Sequence, residues 1–418
     1  MPITFKKDRQ YYKFCAYGFL KNLDFFDPFL ILFFREKGMT FLEIGTLYAI
    51  REITINIFEI PTGLLADALG RRRTLISAFA FYIISFFIFY FSANYLVFVV
   101  AILFYGYGDA FRSGVHKAMI FEYLKINKWQ DQKTHYYGHT RSWSQTGSAV
   151  SAVIAGLIVY ISGNYSMVFL AATIPYVLDL ILISTYPAAL DGRRSELKRS
   201  EILRNFRETF NDFVDSFKNQ FVLRAILTQA VYTGYYKAVK DYLQPVLKTL
   251  ALGLPFFALA RTEQRAAIVV GVVYFFVYMA TAWMSRHSGR FAEKFKNLSK
   301  PLNITMFVGL VMGGLSGIMY HQQWVWIAIV LFVGILLVEN LRKPIGIAAV
   351  ADQLEKDIMA TAMSAESQAE TLVAAMLAPI LGYFADLWGV GASIALVSVL
   401  LLVLFPLYNA RMKTEKSS

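Results

Sequence analysis

The sequence has very little cysteine and little charge. Cys15 is the one cysteine among 418 residues, so an intrachain disulfide and a cysteine cluster for zinc are excluded. Charged residues make up 17% of the chain and hydrophobic residues 57%, whereas soluble domains are about a quarter charged. This composition excludes a disordered chain and indicates a membrane protein.

Motifs for common catalytic chemistry are also lacking. The sequence contains no Gly-x4-Gly-Lys-Ser/Thr phosphate-binding loop, no nucleophile elbow and no cofactor-binding motif. The five histidines are scattered, which does not favour a metal site. We therefore predict that the chain is not an enzyme and that it has no cofactor and no metal site.

Long apolar segments are what the chain does contain. A spanning helix needs about 20 mostly apolar residues, and twelve segments meet this requirement: 11–34, 41–66, 74–92, 95–124, 134–160, 165–187, 220–248, 266–286, 302–320, 323–350, 359–387 and 390–410. They predict an all-α membrane protein whose twelve transmembrane helices form two pseudo-symmetric six-helix bundles. The bundles would be residues 1–187 and 220–418, joined by a cytoplasmic amphipathic linker at 188–219.

The net charge of +12 follows the predicted topology. In a soluble protein such an excess would suggest nucleic acid as a partner. Here the basic residues gather in alternate loops, and few fall on the other side: Arg35, Lys37, Lys248, Arg261 and Arg265. Because cytoplasmic loops are rich in lysine and arginine, we predict a multi-pass protein of the inner (plasma) membrane with both termini cytoplasmic. Its basic loops would contact lipid headgroups, and no nucleic acid is implied.

A glycine-rich and arginine-rich turn lies between the second and third segments. Residues 63–75 read Gly-Leu-Leu-Ala-Asp-Ala-Leu-Gly-Arg-Arg-Arg-Thr-Leu. This resembles the signature of the major facilitator superfamily, with matches at Gly63, Ala66, Asp67, Gly70, Arg71, Arg72 and Leu75 and a departure at Ala68. The glycines would allow close backbone approach. A second copy of the Gly-x3-Asp-x2-Gly spacing occurs at Gly382, Asp386 and Gly389.

The resemblance implies a secondary transporter that works by alternating access, with the turn at Gly63, Asp67, Gly70, Arg71 and Arg72 as a gating motif. Residues 108–124 and 364–368 are similar to the drug-exporter-like branch, which implies proton-coupled export of a small molecule by a monomer. Import or uniport by the same fold, and a non-transporting membrane sensor, are the alternatives.

Ionisable residues inside the predicted helices mark the candidate site, because such groups usually face a bundle interior or a wet cavity. Those expected to bind substrate or protons are Lys21, Asp24, Asp27, Asp109, Arg112, His116, Lys117, Arg141, Lys237, Lys240, Asp241, Glu339 and Glu366. The mixture of basic and acidic groups favours an anionic or zwitterionic organic substrate.

Some of these charges also have structural interpretations. We expect Lys237 and Lys240 to pair with Asp24 or Asp27. Structural roles are open for an Arg141–Glu122 pair, for a Glu339–Arg342 pair and for Asp179, which would then be a lone satisfied polar group.

Overall fold

The computed structural model describes residues 7–192, 220–255, 260–352 and 359–410, and every α-helix in it coincides with a predicted apolar segment. In the first half these helices are α1 (Arg9–Lys21), α2 (Leu30–Glu36), α3 (Phe41–Leu69), α4 (Arg71–Phe91), α5 (Tyr95–Arg112), α6 (Val115–Ile126), α7 (Lys133–Ser162) and α8 (Met167–Ser184). The second half contains α9 (Gln220–Val239), α10 (Leu243–Gly253), α11 (Thr262–Ala292), α12 (Ser299–His321), α13 (Val325–Asp352) and α14 (Met359–Tyr408). The protein is therefore all-α, and most of linker 188–219 lies outside the described residues.

Many helices are long and apolar enough to cross a membrane. Among the described residues, eight helical segments satisfy both conditions. Large apolar side chains such as Phe91, Ile161, Val330 and Leu407 are mostly exposed on the helix surfaces. Exposed apolar bands of this kind fit contact with lipid, so the protein is a multi-pass membrane protein.

Two predicted helices are interrupted next to candidate site residues by short 3-10 turns. The first helix ends at Lys21 and resumes at Leu30, in agreement with the break expected at Asp27-Pro28. The seventh, predicted over 220–248, is divided between α9 and α10 by the 3-10 turn Lys240–Tyr242. Both interruptions place charged side chains outside regular α-helix at positions that the sequence placed inside a span.

The fourth predicted helix, over 95–124, is also divided. It separates into α5 and α6 at Ser113 and Gly114, and Gly114 has a φ of +70°. A left-handed residue ends a helix, and glycine adopts that conformation without steric cost. The break therefore falls in the middle of the segment that carries Asp109, Arg112 and His116.

The described residues fall into two compact units. The first comprises the described residues of Met1–Phe33, Thr54–Arg204 and Leu259–Tyr278. The second comprises those of Phe34–Ile53, Asn205–Ala258 and Met279–Ser418. The division of the chain at 188–219 remains a prediction.

In the first unit, small residues bring α1 and α7 into close contact. A Cβ at Gly18 would lie 2.9 Å from the Ser144 hydroxyl, and a Cβ at Gly147 would lie 2.5 Å from the Phe19 carbonyl oxygen. Membrane helices commonly pack on small residues, because lipid offers no hydrophobic drive for helix association. This contact holds the end of α1 against α7, where several candidate residues lie.

Candidate functional site

A cavity of about 430 Å³ lies within the first unit. Its wall is formed by α1, the α5–α6 break and α7, through Phe14, Tyr17, Gly18, Lys21, Asn22, Arg112, Gly114, His116, Lys117, Ile120, Tyr137, Thr140, Arg141, Ser144, Gln145 and Ser148. We call it the basic cavity, because its charged lining residues, Lys21, Arg112, Lys117 and Arg141, are all cationic. It brings together five of the residues predicted from the sequence, these four and His116.

Lys21 is held at the cavity wall by an acidic neighbour. Its Nζ lies 3.2 Å from Asp24 Oδ2, and the lysine side chain is 13% exposed. The other oxygen of Asp24 accepts a hydrogen bond from the Tyr176 hydroxyl of α8. Because α1 ends at Lys21, Asp24 lies in the non-helical stretch before α2 and can fold back onto the lysine.

Arg112 is positioned by a buried tyrosine and a buried carboxylate. The Tyr82 hydroxyl donates to Asp109 Oδ1 at 2.6 Å and accepts from Arg112 Nε at 3.0 Å. Arg112 Nη2 lies 3.4 Å from the same Asp109 oxygen. Arg112 lines the cavity whereas Asp109 is buried behind it. Asp109 therefore orients the guanidinium group rather than lining the cavity itself.

The break at Ser113 and Gly114 places the start of α6 at the cavity. Ser113 donates its hydroxyl hydrogen bond to Glu59 Oε1 at 2.5 Å. Gly114, the N-cap residue of α6, offers no side chain to the first-turn N–H groups. The positive end of the α6 dipole therefore lies beside His116 and Lys117 and adds to the cationic character of the wall.

His116 stacks face to face on Tyr17, with ring centroids 3.6 Å apart, and its Nε2 lies 3.3 Å from the Tyr186 hydroxyl. Lys117 and Arg141 are exposed at the wall. Lys117 Nζ lies 5.6 Å from the ring centroid of Tyr137. Within the described part of the chain, neither Lys117 nor Arg141 forms an ion pair, so both charges remain available to a bound solute.

Glu122 is not the partner of Arg141. It lies 3.6 Å from Arg71 Nη1 instead, which corrects the alternative considered from the sequence. Arg71 and Glu122 can pair because α6 passes beside the start of α4. Arg141 thus belongs to the basic cavity and not to a structural ion pair with α6.

Lys237 of α9 has a partner other than the expected ones in the second unit. Lys237 Nζ lies 3.1 Å from Glu52 Oε2 of α3, and not against Asp24 or Asp27 as predicted. Lys240 Nζ lies 2.8 Å from Asp241 Oδ1, in the 3-10 turn Lys240–Tyr242 that follows α9.

Asp24 and Asp27, by contrast, are engaged within the first unit. Asp24 binds Lys21 and Tyr176, and Asp27 Oδ2 accepts from the Tyr278 hydroxyl at 2.7 Å. The sequence placed these charges on suitable helices but did not determine which of them would pair.

A second group of charges, the buried ionic cluster, joins α13 and α14 in the second unit. Its members are Glu339, Arg342, Lys343, Glu366 and Glu370. The side chain of Arg342 is fully buried, donates from both Nη atoms to the Thr228 carbonyl at 3.2 and 3.1 Å, and lies 4.7 Å from the Tyr232 ring centroid.

The three carboxylates of this cluster have separate surroundings. Glu339 Oε1 accepts from Thr233 at 2.8 Å, Glu370 lies 3.7 Å from Lys343, and Glu366 is 4% exposed. No ion pair joins Glu339 to Arg342 among the described residues. Three buried carboxylates thus share this cluster with two cations, one of which, Lys343, is exposed.

The signature turn is contacted by a residue that sequence reasoning missed, Asp191. Gly70 has a φ of +98°, and the Asp191 carboxylate accepts from the backbone N–H of Arg72 at 2.8 Å. Arg72 Nη1 donates to the Tyr186 carbonyl at 3.1 Å. Asp191-Gly192 is an ordinary turn signal, and only the tertiary structure places it at the start of α4.

For two residues of the predicted gating motif, Gly63 and Asp67, the structure gives no support for the predicted role. No described atom lies within 4 Å of a Cβ built on Gly63, so the close approach expected there does not occur among the described residues. The side chain of Asp67 lies outside what the structure describes, so its gating role remains a prediction.

The second copy of the motif has a definite contact in the second unit. Asp386 accepts from the backbone N–H groups of Phe41 and Leu42 at 2.9 and 2.8 Å. It therefore caps the N-terminus of α3. Gly389 has a φ of +83° and interrupts α14, where the sequence predicted a short connection.

Comparison with known proteins gives the family. The family model described as Major Facilitator Superfamily matches residues 14–366. The chain is 23% identical over 228 residues to the uncharacterized MFS-type transporter YxaM of Bacillus subtilis (strain 168), covering 54% of this chain and about half, 55%, of that relative. It is 23% identical over 299 residues to a sucrose permease of Escherichia coli, covering 63% of this chain and 69% of the permease.

A solved structure shows the same fold. The crystal structure of the nucleoside transporter NupG aligns with a TM-score of 0.72 and 13% identity, covering 96% of this chain and 98% of that one. At this identity the likeness concerns the fold alone. The signature turn, the all-helical membrane fold and the match over residues 14–366 agree: this chain belongs to the Major Facilitator Superfamily, a family of membrane transporters.

Proposed function

We propose that this chain is a secondary transporter that moves a small organic anion or zwitterion by alternating access, coupled to protons. The observation that supports this proposal most is the basic cavity, whose charged lining residues are all cationic. Cationic groups are expensive at membrane depth unless they are paired. A negatively charged solute would supply the missing partners.

The four cations would have two different roles in binding the solute. Lys21 and Arg112 are oriented by Asp24 and Asp109, so their positions are fixed before the solute arrives. Lys117 and Arg141 have no ion-pair partner among the described residues and would close on the solute. Arginine can bind a carboxylate or phosphate with two parallel hydrogen bonds, which orients the anion.

The rest of the cavity suits an organic molecule. Its volume of about 430 Å³ falls within the range of small-molecule sites. Tyr17 and Tyr137 provide aromatic surface, while Asn22 and Gln145 provide hydrogen-bond donors and acceptors. The wall therefore fits a solute with one anionic group and a polar or aromatic body.

A neutral polyhydroxylated solute is the second candidate. The sucrose permease and the nucleoside transporter NupG carry names that refer to neutral solutes. Asn22, Ser144 and Gln145 line the cavity and could bind hydroxyl groups. The two candidates differ in whether the cationic side chains are required for binding.

The coupling ion and the direction of transport are linked. We propose protons as the coupling ion. This is supported by the buried carboxylates, which in both units outnumber the cations that pair with them directly. The drug-exporter-like segment 108–124 supports export, in which proton and solute would occupy the site in turn. Uptake would instead require that the proton and the solute bind together.

The binding experiment uses purified full-length protein and a panel of succinate, glucose 6-phosphate, 5-aminolevulinic acid, sucrose and uridine. We expect thermal stabilisation by at least one charged compound, and loss of its binding in Lys117→Gln. Lys125→Gln is the matched control, because Lys125 is an exposed lysine of the same helix outside the cavity wall. Binding of sucrose or uridine alone, unchanged in Lys117→Gln, would overturn the anionic proposal in favour of the neutral one.

The transport experiment uses liposomes containing the protein and the compound that binds. A proton gradient directed inward should expel the compound from vesicles loaded with it if transport is export, and concentrate it if transport is uptake. Flux that does not respond to the gradient would exclude proton coupling. No flux of any bound compound would favour the sensor alternative.

A further inference from the structure

One buried carboxylate in the first unit has no place in the site as described so far. Asp179 of α8 is 0% exposed, and neither oxygen of its carboxylate has a hydrogen-bond partner in the described part of the chain. The sequence left open that Asp179 is a satisfied polar group, and this contradicts it. Native proteins rarely leave a buried polar group unpaired, and an ionised one is far more costly.

The groups around Asp179 connect it to the basic cavity. α8 packs against α1, α4 and α7. Tyr176, one turn before Asp179 on α8, donates its hydroxyl hydrogen bond to Asp24, and Asp24 lies 3.2 Å from Lys21 at the end of α1. Lys21 lines the cavity.

A tyrosine of another neighbouring helix is already engaged. Tyr82 of α4 contacts Tyr176, one turn before Asp179, but its hydroxyl is bound to Asp109. The contacts from Tyr176 to Asp24 and from Asp24 to Lys21 therefore make Lys21 the cation through which Asp179 can sense the occupancy of the cavity.

We propose that Asp179 is the proton-binding residue that couples proton movement to solute binding, through competition for Lys21. This rests on the proposed function, because it requires an anionic group in the basic cavity. Lys21 has three possible anionic partners: Asp24, the ionised Asp179 and the solute. In the arrangement observed, Lys21 pairs with Asp24 at 3.2 Å, and a protonated Asp179 needs no cation.

The sign of the coupling follows from charge. When Asp179 is ionised, Lys21 is shared by two carboxylates, and Lys21, Asp24 and Asp179 together carry a net negative charge that opposes an incoming anion. When Asp179 takes up a proton, these three residues together become neutral, and Lys21 can bind the solute. Proton and anion therefore bind cooperatively, and by linkage each raises the affinity for the other. Such coupling moves both in the same direction, so it favours uptake by symport over the export that segment 108–124 supports.

The test compares wild type with Asp179→Asn, which keeps the volume and fixes the neutral state. Wild type should bind the anionic compound from the panel more tightly at about pH 6 than at about pH 8. Asp179→Asn should bind it with little pH dependence. In liposomes, the variant should exchange labelled for unlabelled solute at the wild-type rate. Under an inward proton gradient it should reach only equal concentrations on the two sides, whereas wild type accumulates the solute.

Glu370→Gln is the matched control, because Glu370 is a buried carboxylate of the second unit that pairs with Lys343 and is not among the candidate site residues. It should retain gradient-driven accumulation. Accumulation that survives Asp179→Asn, or that is lost in Glu370→Gln alone, would overturn the assignment and move the coupling residue to the buried ionic cluster. If wild type binds no anionic compound, the proposed function fails first, and that result is distinguishable from a failure of the role of Asp179.

A measurement on wild type alone keeps the proposal falsifiable if Asp179→Asn does not fold. Calorimetric titration with the anionic compound, repeated in buffers of different ionisation enthalpy, gives the number of protons taken up on binding. We expect net uptake of protons above the pH at which binding weakens. Binding without proton uptake at any pH would overturn the proposal.

Discussion

The carboxylate of Asp191 accepts a hydrogen bond from the backbone N–H of Arg72 at 2.8 Å, although the two residues are 119 positions apart. Arg72 is in the first turn of α4, and the N-cap residue Gly70 has no side chain with which to cap that helix. Asp191 is 3% exposed and therefore serves as the missing cap from a distant segment. It also places a negative charge at the positive end of the α4 dipole.

Replacing this cap should lower stability. Asp191→Ala removes the acceptor, and loss of an N-cap costs about 0.5–2 kcal/mol. Asp191→Asn keeps a hydrogen-bond acceptor but removes the charge, so it should lower the stability by less than Asp191→Ala does. Thermal unfolding of the detergent-solubilised protein, followed by near-ultraviolet circular dichroism, measures both. An Asp191→Ala midpoint equal to that of wild type would show that water or another group caps α4 as well.

Tyr82→Phe should weaken solute binding without unfolding the protein. The hydroxyl of Tyr82 joins Asp109 to Arg112, and its removal leaves the longer Asp109–Arg112 contact of 3.4 Å to orient the guanidinium. A hydrogen bond contributes about 1 kcal/mol, so we expect affinity for the anionic solute to fall about fivefold. Isothermal titration calorimetry gives the affinity, and Tyr90→Phe controls for the loss of a tyrosine hydroxyl elsewhere on α4. Equal affinity in both variants would remove Tyr82 from the positioning of Arg112.

The helices could be predicted well from the sequence, because a helix that crosses a membrane needs a long apolar segment and such segments can be recognised in the sequence directly. The sequence also predicted the interruptions at Pro28 and Gly389, where proline and glycine mark the break. The interruption at Ser113 and Gly114 was missed, because a single glycine in an apolar helix is usually tolerated.

The partners of the buried charges could not be predicted. Lys237 pairs with Glu52 and Arg71 with Glu122, and each pair joins two helices. Spacing along one helix shows which residues share a face, but the choice between several carboxylates depends on how the helices pack. The environment of Asp179 was missed for the same reason. Whether a hydrogen-bond partner lies beside it among the described residues depends on how the helices pack, and the local sequence does not record this.

Arg342→Met should destabilise the second unit strongly. Arg342 is fully buried, donates two hydrogen bonds to the Thr228 carbonyl and belongs to the same ionic cluster as Glu339. Losing hydrogen bonds made by a charged group costs about 1.5–3 kcal/mol, and the buried carboxylates of the cluster are left with one cation fewer. Adding Glu339→Gln to Arg342→Met should recover part of the loss. Thermal unfolding of the single and double variants measures this coupling, and strictly additive effects would show that the two side chains act independently.

The gating role of the signature turn is tested by Asp67→Asn. This substitution keeps the volume and removes the charge, so insertion and thermal stability should be unchanged. If Asp67 stabilises one conformation through a helix end, the rate of transport in liposomes should fall while equilibrium binding of the solute is retained. The matched control is Glu293→Gln, which removes an exposed acidic charge outside the signature turn. Wild-type transport rates in Asp67→Asn would exclude a gating charge at this position.

Cysteine labelling tests the orientation predicted from the basic loops. Cys15 is buried, and Cys15→Ser gives a background without thiols. Ser162, at the exposed end of α7, is expected outside the cell, and Ser195, in the linker 188–219, is expected in the cytoplasm. A maleimide that does not cross membranes should therefore label Ser162→Cys but not Ser195→Cys in sealed cells, and it should label both after permeabilisation. The reverse pattern would invert the protein in the membrane. It would also place the arginines of the signature turn on the outer surface, against the preference of cytoplasmic loops for basic residues.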